Sequence, residues 1–381
     1  MNIVIDARLI NETGVGRYIR NLIIKLGNLD TEDYYVVLLL ANDFDQFQLP
    51  NARWEKRCVD IHWHSVKEQL CMPWVLWREH ADVVHIPYFN VPILYVGRFI
   101  VTIHDLTILH LNTGKASTLP AWKYILRRIG YTMIIWSSVY RSHGILTVSE
   151  TVKQDILSHF KIPNKKIHVT YEGIDDALIH DHIESDIRPI TERYFLYVGN
   201  VYPHKNVETL IESFSLLRKK ISEPIKLVFV GPNDFFYKRL RLLITSLSMD
   251  DDIIIKHTVG DAELSLLYAH AIALVFPSRM EGFGLPALEA IAHGCAVIAS
   301  DIPVFHEILQ NHAHFADTTN PESLSRVMNE VQRSTDEKNK ISPQRVSFLS
   351  RYSWEKWQRK HMLSISMQVT NEKKSANCAC L

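Results

Sequence analysis

The chain has few cysteines, no excess charge of either sign and no long hydrophobic run. Its 5 cysteines in 381 residues include no C-x-x-C pair, which indicates a reducing compartment rather than a disulfide scaffold. The 42 lysine and arginine residues balance the 42 aspartate and glutamate residues. Because there is no basic surplus, a general nucleic-acid-binding role is disfavoured. No stretch approaches the roughly 18 apolar residues of a membrane span. The first residues predict a strand rather than a signal peptide, and we expect a cytoplasmic protein.

Short β-rich runs alternate with helical segments along the chain. Most of these runs are continuously apolar, which is typical of parallel strands covered on both faces. Strands are predicted over 2–7, 34–41, 53–61, 82–86, 99–103, 144–148, 167–171, 194–198, 225–230, 252–257, 272–277, 296–300 and 313–316. In the first half, helices are predicted over 16–26, 66–79, 118–140 and 149–160. The repetition predicts an α/β protein with doubly wound parallel sheets.

An acidic, irregular stretch at residues 173–191 interrupts this pattern. We interpret it as a linker between two Rossmann-like domains, residues 1–172 and 192–350. Residues 351–368 predict a C-terminal helix that returns to the first domain, and 369–381 a polar tail. Because ligands bind outside the carboxyl ends of parallel strands, we expect the site in a cleft between two facing sheets.

The most informative motif follows the strand predicted over 272–277. Gly282 and Gly284 permit a tight turn and a close approach to a ligand, and Pro286 suits the first turn of a helix. The free N–H groups of that helix end attract phosphate. Glu281 before the turn and Glu289 one turn into the helix are suited to two sets of hydroxyls, such as those of a ribose and a sugar. The alternative is a plain connection with solvated glutamates.

Three other positions suggest chemistry. Lys205 follows a strand and opens a helix, where its charge can offset that of a departing diphosphate; a surface lysine is the alternative. His104 ends a strand and precedes Asp105, which either orients the imidazole or faces an acceptor. The alternative is a structural histidine at a strand end whose hydrogen bonds are met within the fold. Gly14 and Gly16 lack the third glycine of a dinucleotide fingerprint, which disfavours a dehydrogenase and favours a flexible loop over the diphosphate and acceptor.

With seven residues between them, Glu281 and Glu289 resemble the EX7E motif of retaining glycosyltransferases of GT-B fold, especially glycosyltransferase family 4. The resemblance covers nearly the whole chain. Its other segments are residues 14–18, 103–106, 197–199, 204–206, 230–232, 277–286 and 300–303. The chain is similar in particular to bacterial O-antigen mannosyltransferases, which use GDP-mannose. The implied fold is GT-B.

The resemblance implies a retaining hexosyltransferase that moves mannose from GDP-mannose onto a lipid-linked glycan in O-antigen or cell-surface polysaccharide synthesis. The implied catalytic residues are His104, Lys205 and Glu281. The implied substrate-binding residues are Gly14, Gly16, Arg17, Asp105, Gly199, His204, Gly231, Ser278, Gly282, Phe283, Gly284, Leu285 and Glu289. Glu289 would bind the ribose, and Glu281 with the backbone of 282–284 the hexose.

The resemblance implies no cofactor and no strict metal requirement. His62 and His64 alternate on a predicted strand end, but no third ligand accompanies them, and we interpret them as solvated. The family usually carries an arginine just before its phosphate-binding lysine. The candidate positions here hold Asn200 and His204, so the second phosphate contact is open between His204, Arg279 and Arg17.

Residues 107–149 contain no acidic residue, whereas cations and aromatic residues interleave. Such a segment suits an anionic membrane surface, and a core-packed helix with a basic solvated face is an equal alternative. We expect peripheral contact with the inner face of the cytoplasmic membrane, other polysaccharide-assembly enzymes as partners, and no nucleic acid.

A sugar-nucleotide 2-epimerase of the same architecture and a non-catalytic nucleotide-sugar-binding subunit are the alternative functions.

Overall fold

A computed structural model describes residues 1–29, 32–110, 121–174, 187–334 and 343–354. The described chain divides into two compact units. The first contains Met1–Glu172 together with Trp354, and the second is Gly173–Ser353. Most of the predicted linker and of the predicted C-terminal helix lies outside the described residues. Trp354, at the start of that predicted helix, is buried in the core of the first unit.

The first unit is built on a sheet of seven parallel strands, in the order β3-β2-β1-β4-β5-β6-β7. The strands are β1 Asn2–Asp6, β2 Tyr34–Leu39, β3 Trp54–Cys58, β4 Val83–Ile86, β5 Phe99–Ile103, β6 Gly144–Thr147 and β7 Ile167–Val169. The helices are Thr13–Leu29, Ala41–Phe44, Val66–Arg78, Thr107–His110, Ala121–Arg141 and Glu150–His159, with a 3₁₀ turn at Asn164–Lys166. The central strands β4 and β5 are buried along their whole length because helices cover both faces.

The second unit has six parallel strands in the order β10-β9-β8-β11-β12-β13. They are β8 Arg193–Val198, β9 Ile225–Val230, β10 Ile253–Lys256, β11 Ala273–Phe276, β12 Ala296–Ser300 and β13 His314–Ala316. The helices are Val207–Arg218, Phe235–Ser246, Asp261–His270, Leu285–Ala292, Pro303–Leu309, Pro321–Ser334 and Pro343–Leu349, with 3₁₀ turns at Pro203–Lys205 and Ser350–Tyr352. The strand order reverses beside β8, so the carboxyl ends of β8 and β11 border a switch point, the usual place for a ligand.

All thirteen predicted strands are confirmed, with ends that differ by at most a few residues. The prediction of a flexible glycine loop is wrong, because Gly14 and Gly16 lie in the first turn of the Thr13–Leu29 helix. A Cβ on Gly16 would approach the Ile10 carbonyl oxygen to 2.4 Å. Glycine is needed there for close packing of the preceding segment rather than for flexibility.

The placement of His62 and His64 on a strand is also wrong, since β3 ends at Cys58. His62 lies in an irregular segment, and His64 lies in a turn. His64 has a left-handed backbone, with φ 57°, and its Nδ1 is 3.1 Å from Asn90 Oδ1. Burial lowers the His64 pKa to about 4, so the imidazole is neutral over the usual pH range.

A buried ionic cluster forms where β1 ends. Arg8 binds both carboxylate oxygens of Asp6, at 2.8 and 2.6 Å, and also reaches Glu68 Oε1 at 2.7 Å and the Ile61 carbonyl at 2.6 Å. Burial alone lowers the pKa of Arg8, but the charges of its two carboxylate partners raise it above its ordinary value. The cluster therefore ties β1 to the Val66–Arg78 helix through ion pairs.

Candidate functional site

The candidate site of the second unit lies at the carboxyl edge of its sheet. Gly199 follows β8, Gly231 follows β9, and the segment 277–284 follows β11. Parallel strands end at one common edge, so these three connections are neighbours. The Gly199 amide donates to the Val230 carbonyl at 3.0 Å, which holds the first two connections together.

The central feature of this edge is an ion pair between two predicted catalytic residues. Lys205 Nζ lies 2.6 Å from Glu281 Oε1, and the Ser278 hydroxyl donates to the same oxygen at 2.8 Å. The two charged side chains are only 15% and 11% exposed, so solvent screens their attraction poorly. The structure thus brings together three residues that the sequence predicted, and it presents an ammonium group and a carboxylate at fixed positions.

Asn206 positions Lys205, and sequence reasoning missed this role. Asn206 is buried in a left-handed conformation, with φ 59°, directly after the 3₁₀ turn that carries His204 and Lys205. Its amide nitrogen donates to the Pro277 and Thr318 carbonyls at 3.2 and 2.8 Å. The lysine is thereby anchored to the connection that carries Glu281. In the sequence, this role was indicated by the position of Asn206 immediately after Lys205 at the start of a helix.

Two of the candidates for the second phosphate contact lie beside this lysine. The Arg279 amide donates to the His204 carbonyl at 2.8 Å, while its side-chain Nε donates to Asn206 Oδ1 at 3.1 Å. Arg17 belongs to the first unit. His204 and Arg279 are therefore the two candidates that the second unit itself places next to Lys205.

The Leu285–Ala292 helix begins at this edge after a strained turn. Gly284 has φ +111°, and a Cβ there would meet the rings of Phe305 and Phe276 at 3.1 and 3.3 Å. Pro286 lies in the first turn, as predicted. Phe283 is buried against Tyr352, with ring centroids 5.8 Å apart, so its side chain anchors the turn.

Glu289 is buried one turn into this helix. Its Oε2 accepts a hydrogen bond from the Tyr268 hydroxyl at 3.1 Å, and its carbonyl lies 2.8 Å from His293 Nδ1. Tyr268 and His293 stack, with centroids 5.4 Å apart. The carboxylate is therefore held in one orientation, which suits recognition of a vicinal diol.

Gly231 and Gly199 are packed backbone to backbone. The Tyr237 hydroxyl donates to the Gly199 carbonyl at 2.7 Å, and burial raises the pKa of Tyr237 well above its usual value. A Cβ on Gly231 would lie 2.3 Å from both the Gly199 carbonyl oxygen and the Tyr237 hydroxyl. Tyr237 is a further residue that sequence reasoning missed, because nothing in the sequence places it under this turn.

We expect Gly231→Ala to lower the free energy of unfolding by about 1–3 kcal/mol, as overpacking does. It should also weaken nucleotide binding, because the added methyl displaces the Gly199 turn. Urea unfolding and calorimetric titration with nucleotide measure the two effects. Gly260→Ala is the matched control, since a Cβ at Gly260 meets nothing within 4 Å. Equal behaviour of the two variants would show that the close approach is unimportant.

In the first unit, His104 lies at the carboxyl end of β5, as predicted. Its Nδ1 is 3.1 Å from Glu172 Oε1, its Nε2 is 3.1 Å from the Pro87 carbonyl, and its ring packs edge-on against Tyr18. Asp105 does not orient the imidazole, because its Oδ1 accepts from the Thr107 amide at 2.8 Å. Glu172 contacts the imidazole instead. Its position soon after the end of β7 was the indication of this role available in the sequence.

A group of three potential metal ligands lies elsewhere in the described part of the first unit. His110, Asp155 and His159 offer ligand atoms within 4.8 Å of one another. His110 Nε2 is 2.8 Å from both Asp155 oxygens, and His159 Nδ1 is 3.3 Å from Asp155 Oδ1. These direct contacts account for the grouping without an ion.

Two parallel α/β units, with a lysine, two glutamates and a glycine-flanked helix start at the strand ends of the second, define a glycosyltransferase of GT-B fold. Residues 13–178 match Glycosyltransferase Family 4, and residues 181–345 match Glycosyl transferases group 1. The chain belongs to glycosyltransferase family 4, which confirms the prediction from its motifs.

Named relatives and solved structures agree with this assignment. The chain is 30% identical over 257 residues to O-antigen chain mannosyltransferase RfbU of Salmonella typhimurium, covering 67% of this chain and 69% of that protein. It is 25% identical over 291 residues to O-antigen chain mannosyltransferase B of Escherichia coli, covering 74% and 73%. Sucrose-phosphate synthase from Thermosynechococcus elongatus shares the fold, with a TM-score of 0.74 at 16% identity, covering 99% of this chain and 100% of that one.

Proposed function

We propose that the protein transfers mannose from GDP-mannose to a lipid-linked glycan in O-antigen or related polysaccharide synthesis, with retention at the anomeric carbon. The family assignment establishes glycosyl transfer. The names of the two O-antigen mannosyltransferase relatives support the sugar and the acceptor class. The observation that carries the proposal is the Lys205–Glu281 pair at the strand ends, beside a helix start.

The pair supplies the charges that the reaction needs. When a nucleotide sugar binds, the Lys205 ammonium exchanges part of its contact with Glu281 for a diphosphate oxygen. As the bond from C1 to the phosphate oxygen breaks, negative charge grows on that oxygen. Lys205 and the positive end of the dipole of the Leu285–Ala292 helix stabilise this charge. Glu281 then accepts hydrogen bonds from hexose hydroxyls.

Retention follows from attack on the same face that the diphosphate leaves. The acceptor oxygen forms the new bond to C1, and its proton passes to the departing phosphate oxygen, so no enzyme nucleophile is required. Glu281 acts as a binder and electrostatic stabiliser in this scheme. His104, held by Glu172 in the first unit, is the proposed hydrogen-bonding partner of the sugar. We also propose that no metal is needed, and activity should persist in EDTA.

The test is a panel of GDP-, UDP- and dTDP-sugars with a lipid-linked acceptor, followed by NMR of the product linkage. We expect transfer from GDP-mannose with an α-anomeric product. Epimerised nucleotide sugar without transfer would contradict transferase activity. A β-linked product would contradict retention, and transfer from another donor would contradict the assignment of the sugar.

We expect Glu289→Gln to raise the KM for the donor about tenfold or more, with a smaller effect on kcat. The ribose hydroxyls lose a charged acceptor that they contact equally in ground and transition states. Steady-state kinetics measure the change, and the exposed Glu322→Gln in the same unit is the control. A fall in kcat without a change in KM would place Glu289 at the reacting centre instead.

A further inference from the structure

The Ala121–Arg141 helix carries an apolar stripe on its solvent side. Its members recur at intervals of one to four residues and are 52–60% exposed: Trp122, Ile125, Leu126, Ile129, Met133 and Trp136. The opposite side packs into the unit, since Ile134, Ile135 and Val139 are buried. Both interpretations of this segment from sequence are therefore incomplete, because the helix has a core-facing side and also an apolar side that the described chain leaves uncovered.

A second stripe lies on the Val66–Arg78 helix. Val66, Leu70, Trp74 and Trp77 follow helical spacing and are 57–77% exposed, whereas Met72 and Leu76 face the core. Two exposed tryptophans one turn apart are unusual on a surface helix without a partner. The sequence predicted this helix, but it did not reveal which side would face solvent.

One loop joins the two stripes into a single surface. The Ile93 amide donates to the Gln69 side chain of the shorter helix at 2.9 Å. Arg141 of the longer helix donates to the carbonyls of Ile93 and Tyr95. In the same loop, Leu94 and Val96 are exposed, Val96 almost completely. We call the two stripes and this loop the aromatic face of the first unit.

Cations border the aromatic face, and acidic groups are scarce there. The Ala121–Arg141 helix contains no Asp or Glu, and Glu68, the acid of the shorter helix, is buried against Arg8. Lys123 lies over the Trp122 ring and Arg78 over the Trp74 ring, at 5.3 and 4.6 Å from the centroids. Within the described residues, no carboxylate pairs with Lys123 or Arg78. In a chain with no net charge, positive charge is concentrated beside exposed tryptophans.

We propose that the aromatic face docks on an anionic lipid bilayer, with its tryptophans at the headgroup level and its cations on lipid phosphates. Charge complementarity and exposed tryptophans together favour a bilayer over a protein partner, because Trp prefers the membrane interface and basic residues bind anionic headgroups. No described helix has the length and apolarity to cross a bilayer. The inference rests on the proposed function in one respect. The lipid-linked acceptor of that function supplies a reason for the contact.

Co-sedimentation of the full chain with phosphatidylcholine vesicles, with and without roughly a third phosphatidylglycerol, tests the proposal. We expect binding to the anionic vesicles that falls as salt rises. Lys123→Gln/Arg78→Gln should weaken anionic binding roughly thirtyfold, as expected for two surface cations. Trp74→Ser/Trp77→Ser and Met133→Ser/Trp136→Ser should each weaken it about tenfold or more. Phe235→Ser/Leu242→Ser, on an equally exposed helix of the second unit, is the control and should bind normally.

Absence of vesicle binding, or equal binding by the serine variants and the control, would overturn the proposal. So would a self-association that the same serine variants abolish, since the face would then bind protein. Transfer to a short water-soluble acceptor is measured in parallel, because it does not need the bilayer. Retained transfer without vesicle binding refutes docking alone, whereas vesicle binding without transfer refutes the proposed function alone.

Discussion

Lys205→Met should lower kcat for glycosyl transfer by about a hundredfold to a thousandfold, the usual loss when one preorganised electrostatic stabiliser is removed. In the proposed mechanism, the ammonium lies where the leaving diphosphate gains charge. Its loss should affect the transition state more than the ground state, so the donor KM should change less than kcat. Initial rates over a range of donor concentrations measure both constants.

Lys220→Met, at an exposed lysine of the same unit, is the control and should leave the rate unchanged. The variant at 205 should still fold, because the Ser278 hydroxyl continues to donate to Glu281. A raised KM with an unaltered kcat would show that Lys205 contributes only uniform binding. In that case the stabilisation of the leaving group would have to come from elsewhere, and His204 or Arg279 would be tested next.

Arg8→Met should lower the free energy of unfolding by about 3–5 kcal/mol, because it leaves two carboxylates buried without their counter-charge. Asp6 and Glu68 are 9% and 0% exposed at their side chains and cannot recover hydration. Burial already raises the pKa of Glu68, and loss of the guanidinium should raise it further. The variant should therefore be less destabilised at acidic pH, where the Glu68 carboxyl takes up a proton. Urea unfolding at two pH values measures the effect.

Arg57→Met is the matched control. Arg57 also pairs with a glutamate, Glu55 Oε2 at 2.7 Å, but its side chain is 45% exposed. An exposed pair is screened by water, and its loss should cost less than about 1 kcal/mol. If the two variants unfolded at similar urea concentrations, the buried cluster at the end of β1 would not be an electrostatic anchor of the first unit.

The sequence by itself determined the class of fold, the strands and the family. Continuous apolar runs of strand length are a local property, and β5 and β9 begin and end at the predicted residues. Which residues form the candidate site of the second unit was also predictable. Parallel strands place their carboxyl ends at one edge, so Lys205 and Glu281 had to lie near each other once both were assigned to such ends.

Only the tertiary structure decided which partners hold those residues and which helix faces meet solvent. Glu172, and not the adjacent Asp105, contacts His104, because the two residues come together from the ends of β5 and the segment after β7. Apolar periodicity likewise could not show that Trp74 and Trp136 stay exposed. Periodicity reports that a helix side is apolar, but burial depends on whether another part of the chain packs against that side. This dependence on distant residues is the physical reason that the sequence left a membrane-facing and a core-packed helix as equal alternatives. The strand-end position of the candidate site, in contrast, follows from local strand patterns.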